Sequence, residues 1–164
     1  MILVQPQYFP TVNFFRNFNN NKIFVDFNSH YSNYININRT RIVNHSNAFE
    51  IEVPLIFNSK DIKIKELKID QNRNWINTHF QSIQSSYGKY PYYIYYIDEI
   101  MKILQLRHNF LIDLNYDLLA LLCKFLNYEN KIEKFQNKNN LEDVIKVYNH
   151  YNMNSEKNNI DLKR

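Results

Sequence analysis

Gly88 is the only glycine in 164 residues. A loop that wraps its backbone around phosphate needs several closely spaced glycines, so P-loop and G-x-G-x-x-G dinucleotide turns are both excluded. The chain also holds 27 Asn, 20 Ile, 14 Lys and 13 Tyr, against two Ala, four Pro and one Trp. The abundant residues draw on A/T-only codons and the scarce ones need G or C, the pattern of an AT-rich genome. Asn abundance therefore says little about function. Pro6, Pro10, Pro54, Pro91, Gly88 and Trp75 stand against the bias and mark positions where shape is required.

The length fits one domain able to bury roughly 70% of its unfolded surface, a full core without staples. One Cys excludes a disulfide framework and a Cys-clustered zinc site, and Cys123 sits in an apolar run as a core residue. His30, His45, His79, His108 and His150 include no pair at metal-ligand spacing, so no metal and no cofactor are expected. The net charge of +4 is mild. Lys60, Lys63, Lys65 and Lys68 interleave with Asp61, Glu66 and Asp70, a mixed solvated surface rather than a nucleic-acid face. The segment Met1–Pro6 has no signal-peptide character, and Leu118–Leu126, interrupted by Lys124, is too short to span a bilayer. A cytoplasmic protein is expected.

Met1–Val4 and Ile23–Phe27 read as short apolar strands, and Pro10–Asn20 as a helix carrying Phe14, Phe15 and Phe18. Residues 48–57 alternate with Phe49, Ile51 and Val53 on one face, and residues 61–70 alternate again, which predicts a hairpin between these two stretches. The second half is helical. Trp75, Ile76, His79, Phe80, Ile83 and Tyr87 form a stripe after a capping Asn74, ending at Gly88. Pro91 opens a second helix, Asn115 is placed as the cap of a third over Tyr116–Leu126, and Leu141–Tyr151 is a weaker fourth. Strands first and helices after predict an α/β (or α+β) fold. The expected layout is one domain over residues 1–151, with N-terminal strands packed by C-terminal helices and a polar, frayed tail at 152–164.

Four stretches carry candidate chemistry. Gln5-Pro6-Gln7-Tyr8-Phe9-Pro10 sets amides and aromatics at a strand end, where α/β folds hold ligands. Asn36-Ile37-Asn38-Arg39-Thr40-Arg41 alternates amide and guanidinium groups suited to carboxylate or phosphate. Trp75 and His79 share a helical face, so His79 is either a core-edge ring or a general base against an aromatic wall. The Tyr90–Tyr96 segment offers aromatic surface for a sugar or a base.

These motifs occur in the order of a known family. Gln5-Pro6-x-Tyr8-Phe9-Pro10, Phe14-Phe15, Asp26, Tyr31, Asn38-Arg39-x-Arg41-Ile42 and Val53-Pro54 resemble the N-terminal pattern of the WbqC-like proteins. Trp75-x-x-x-His79, Ser86-Tyr87-Gly88-Lys89 and Pro91-Tyr92-Tyr93 resemble their middle region, and Asp113-Leu114-Asn115 their later helix. The likeness runs from residue 2 to about 127, that of a shortened member. It implies a bacterial cytoplasmic protein of O-antigen or related polysaccharide gene clusters that transfers glycine or another amino acid onto a sugar.

On that resemblance, His79 is assigned as base and Asp26 as its orienting carboxylate, or as one that orients substrate. Gln5, Tyr8, Asn38, Arg39, Arg41, Trp75 and Tyr87 are assigned to substrate. The expected partner is a nucleotide-sugar or glycan precursor. The alternatives are a non-catalytic module binding nucleic acid or protein through the Arg39/Arg41 strand, and an inactive homologue.

Overall fold

The computed structural model describes residues 2–16, 18, 22–31, 36–44, 47–57, 61–128 and 132–135. Its elements run β1 (Ile2–Val4), α1 (Val12–Phe15), β2 (Ile23–Asp26), β3 (Arg39–Asn44), β4 (Asn47–Glu52), β5 (Leu55–Ile56), a 3₁₀ turn (Ile64–Glu66), β6 (Lys68–Ile69), α2 (Trp75–Tyr87), α3 (Tyr93–Gln105), α4 (Leu111–Phe125) and β7 (Ile132–Phe135). Helices and strands mix as an α/β or α+β fold.

Three parallel strands form one sheet in the order β1-β2-β7, with Ile2 opposite Ile23 and Ile23 opposite Ile132. Parallel neighbours need a crossover, and residues 5–22 supply the first, carrying α1 with Phe14 and Phe15 buried. The antiparallel pairs β3-β4 and β5-β6 come from the middle of the chain.

Helix α4 is apolar nearly all round because it serves two cores. Leu111, Ile112, Leu114 and Leu118 join Tyr8, Ile37, Ile51, Val53 and Trp75, whereas Leu119 and Cys123 join Phe14, Phe15, Phe18, Ile23 and Val25. Each such side chain contributes roughly 1.5–3 kcal/mol by leaving water. Burial also pushes the Cys123 thiol up to about 11, as expected of a core Cys.

Two local expectations need correction. Residues 48–57 do not pair with 61–70 as one hairpin: β4 pairs with β3, and only Leu55–Ile56 pairs with Lys68–Ile69, a 3₁₀ turn replacing the rest of the second strand. Arg39–Asn44, for which no strand is expected, is a full strand; only Ile42 is buried, and Arg41 and Val43 are exposed. Asn115 is not a cap. The helix starts four residues earlier, at Leu111, and Asn115 lies inside it with no exposed surface. Gly88 ends α2 as expected; it sits in the right-handed region, and a Cβ there would come within 2.5 Å of the Gln84 carbonyl oxygen. Close approach, not a left-handed turn, makes that position a glycine.

The parallel strand β7, absent from the sequence expectations, completes the sheet. The expected helix 141–151 and the tail lie outside the described residues. So does the proposed domain boundary.

Asn115 reaches back across 78 positions to donate from Nδ2 to the Ile37 carbonyl at 2.7 Å. This bond ties α4 to the segment that enters β3. Asn115→Ala leaves that buried carbonyl without a donor and should cost about 1–3 kcal/mol. The check is a urea titration: a lower midpoint at unchanged m-value is expected, and an unmoved midpoint would show that the bond contributes nothing.

Candidate functional site

The Gln5–Pro10 loop leaves the carboxyl end of β1 and turns sharply. Phe9 holds φ at 45°, a left-handed conformation that is costly for a bulky residue and more so before proline. The turn is pinned at two places: Tyr8 N–H donates to the Asn36 carbonyl at 3.0 Å, and Thr40 Oγ1 donates to the Phe9 carbonyl at 3.2 Å. Its result is that Tyr8 points inward and is wholly buried.

There it meets α2. Tyr8 Oη lies 2.8 Å from His79 Nδ1, and His79 Nε2 lies 3.2 Å from the Glu52 carbonyl oxygen. A carbonyl only accepts, so Nε2 carries the ring proton, Nδ1 is the bare lone pair, and the Tyr8 hydroxyl donates to it. Burial lowers the His79 pKa to about 4, with the Glu52 carbonyl bond opposing in part, and burial alone holds the Tyr8 phenol far above its ordinary range. Both groups are neutral at pH 7. The ring packs at 5.2 Å, edge on, against Trp75, one helical turn earlier. The Trp75 Nε1–H is buried and has no hydrogen-bond partner among the described residues.

Glu52 and Val53, at the end of β4, join this dyad to Asn38. Asn38 Nδ2 donates to Glu52 Oε1 at 2.8 Å and to the Val53 carbonyl at 3.1 Å, and Asn38 Oδ1 accepts from Tyr31 Oη at 3.2 Å. The backbone adds a bond from Val53 N–H to the Asn38 carbonyl at 2.7 Å. The buried amide is therefore satisfied on both sides. Burial and the Glu52 carboxylate raise the Tyr31 pKa, and Arg39 opposes them.

Of the assigned residues, Tyr8, Asn38, Trp75 and His79 converge on Glu52–Val53, with Gln5 buried in the same loop. Arg39 and Arg41 lie on β3 opposite Glu52 and Glu50, and Arg39 Nη1 is 3.8 Å from Glu50 Oε2. Tyr87 sits at the far end of α2, where its hydroxyl accepts from Val43 N–H at 3.2 Å. Asp26 ends β2 in the parallel sheet and accepts from Asn28 N–H at 2.8 Å; neither nitrogen of His79 is oriented by it. Glu52 was missed by sequence reasoning. As one of two glutamates on the polar face of an alternating strand, it carried no signal of a backbone carbonyl that fixes a tautomer. A cleft of about 650 Å³ lies beside the start of α2, between Asn74 and Arg107, and none of the assigned residues lines it. Among the described residues no group of three or more His, Cys, Asp or Glu is placed to hold a metal, and no helix is long and apolar enough to cross a membrane.

A model of the WbqC-like protein family matches residues 5–159, so the likeness extends past the point near 127 where the motifs stop being legible. No curated protein and no solved structure matches the chain.

His79 links stability to pH. Its folded pKa of about 4 lies below the ordinary 6.5, so between those values the unfolded chain binds the extra proton and folding weakens as pH falls. The contribution is complete above about pH 6.5 and is lost progressively down to about 4, for about 3 kcal/mol in all. Urea titrations at pH 7.5 and 5.0 should show wild type losing much more stability than His79→Gln, whose amide does not titrate. Equal losses in the two proteins would mean that His79 is not a buried neutral ring.

Proposed function

The chain belongs to the WbqC-like protein family, and on that premise we propose that it transfers an aminoacyl or other acyl group to a sugar of a surface-polysaccharide precursor. The observation that carries this reading is the convergence of Tyr8, Asn38, Trp75 and His79 on one strand end, where a neutral imidazole keeps a bare Nδ1 lone pair at pH 7. The strained Phe9 turn that delivers Tyr8 supports it, since backbone strain persists where the surroundings over-determine it and clusters at functional sites.

In the step we propose, an amine or hydroxyl of the sugar attacks the carbonyl carbon of an activated acyl donor. The new C–N or C–O bond forms as the bond to the leaving group breaks, and the leaving group departs with its electron pair. The proton released by the nucleophile passes to the Tyr8 oxygen as the Tyr8 proton moves to His79 Nδ1. The Trp75 Nε1–H, which has no acceptor among the described residues, supplies a donor for the developing oxyanion. Arg39 and Arg41 are the cationic contacts for the anionic groups of the acyl donor. Asn38 has spent both donors internally, so its part is to hold Glu52 and Tyr31 in place.

A second reading, a protein that binds without catalysing, is favoured by one observation: Tyr8 and His79 are buried and satisfy each other. His79→Gln separates the two, because glutamine accepts from Tyr8 and donates to the Glu52 carbonyl while offering no base. Transfer of a labelled glycyl group from an activated donor to nucleotide-sugar acceptors should fall at least about 100-fold in His79→Gln and in Tyr8→Phe. Wild-type rates in both variants, with the fold intact, would favour the non-catalytic reading.

A further inference from the structure

Phe27 and Asn28 follow β2 directly, at the carboxyl edge of the parallel sheet. With Lys65, Phe110, Asp113 and Lys134 they line a cleft of about 390 Å³. Parallel sheets hold ligands at this edge, outside the ends of the strands. Tyr8, Asn38, Trp75 and His79 take no part in the lining, so the cleft is separate from the dyad.

Its chemistry is mixed in an informative way. Two ammonium groups enter from different elements. Lys65 Nζ donates to Asn28 Oδ1 at 3.3 Å, while Lys134 Nζ lies 3.6 Å from Asp113 Oδ1 and over the ring of Phe27 at 5.4 Å. Phe27 and Phe110 supply apolar faces. Asp26 holds the turn beneath them by accepting from Asn28 N–H, which makes it a positioning residue for this cleft. A site for bare phosphate is weakened by a carboxylate such as Asp113. A nucleoside diphosphate uses every group: phosphoryl oxygens meet the two lysines, a planar base meets the phenyl faces, and ribose hydroxyls donate to Asp113 and Asn28. The volume lies in the range of about 300–1,000 Å³ typical of small-molecule sites.

We propose that this cleft binds the nucleoside diphosphate portion of a nucleotide-sugar. The sugar attached to it rests on the transfer reading above; the nucleotide site does not need that reading to hold.

The test is calorimetric titration of the full chain with UDP and GDP, and separately with uridine, guanosine and inorganic pyrophosphate. At least one nucleotide should bind saturably, and more tightly than its nucleoside or pyrophosphate. Lys65→Ala, whose side chain is exposed, and the Lys65→Ala/Lys134→Ala pair should weaken it, the pair by at least about 10-fold, or about 1.4 kcal/mol. His79→Gln should bind as wild type does. No binding of either nucleotide up to about 1 mM, equal affinity in the paired variant, or pyrophosphate as tight as the nucleotides would each overturn the proposal. Nucleotide binding alongside unimpaired transfer by His79→Gln would instead count against the dyad and leave the cleft standing.

Discussion

With both ring nitrogens committed, His79 is satisfied only when three separate segments are in place together. The Gln5–Pro10 loop brings the Tyr8 hydroxyl to Nδ1, β4 brings the Glu52 carbonyl to Nε2, and α2 carries the ring itself. Loss of any one leaves a buried polar group unpaired, at a cost of about 1–3 kcal/mol. In the resting protein the arrangement disfavours charge: an imidazolium at Nδ1 could no longer accept from the Tyr8 hydroxyl, which would have to turn its proton away. Low dielectric therefore keeps the resting pair in one protonation state and one tautomer across the ordinary pH range.

The neighbourhood follows from that fixed point. Glu52 gives its carbonyl to His79 and its carboxylate to Asn38, so the strand end that orients the ring also orients the amide. Asn38 in turn takes the Tyr31 hydroxyl, which carries the network out to the partly exposed rim where Arg39 and Glu50 face each other. The left-handed Phe9 turn is held by bonds from Tyr8 to the Asn36 carbonyl and from Thr40 to its own, so the strain is supported by the strand it packs on. Helix α4 closes the other side through Asn115 and Leu111 to Leu118.

How much of this was legible depended on whether the signal was local. The Trp75–His79 stripe was visible because a buried helical face repeats every three to four residues, and the two prolines of the first motif marked a turn. The ordered motifs were enough to suggest the family that the family model then matched over residues 5–159. Strand β3 was hidden because Arg39, Thr40, Arg41 and Asn44 offer almost no apolar alternation, and β7, Ile132–Phe135, because it is short and carries Glu133 and Lys134 at its centre. Asn115 misled because asparagine favours helix starts, whereas here its amide is used for a contact 78 positions away. The role of Glu52 rests on a backbone carbonyl, which no side-chain pattern reports.

The most direct test of the central claim is a nitrogen-15 NMR titration of the His79 ring in the full chain. A neutral ring protonated at Nε2, with Nδ1 bare and a midpoint near pH 4, is the expected result. A midpoint near 6.5, or a proton on Nδ1, would mean that the Tyr8–His79–Glu52 bridge does not exist as described, and the network built on it would have to be abandoned.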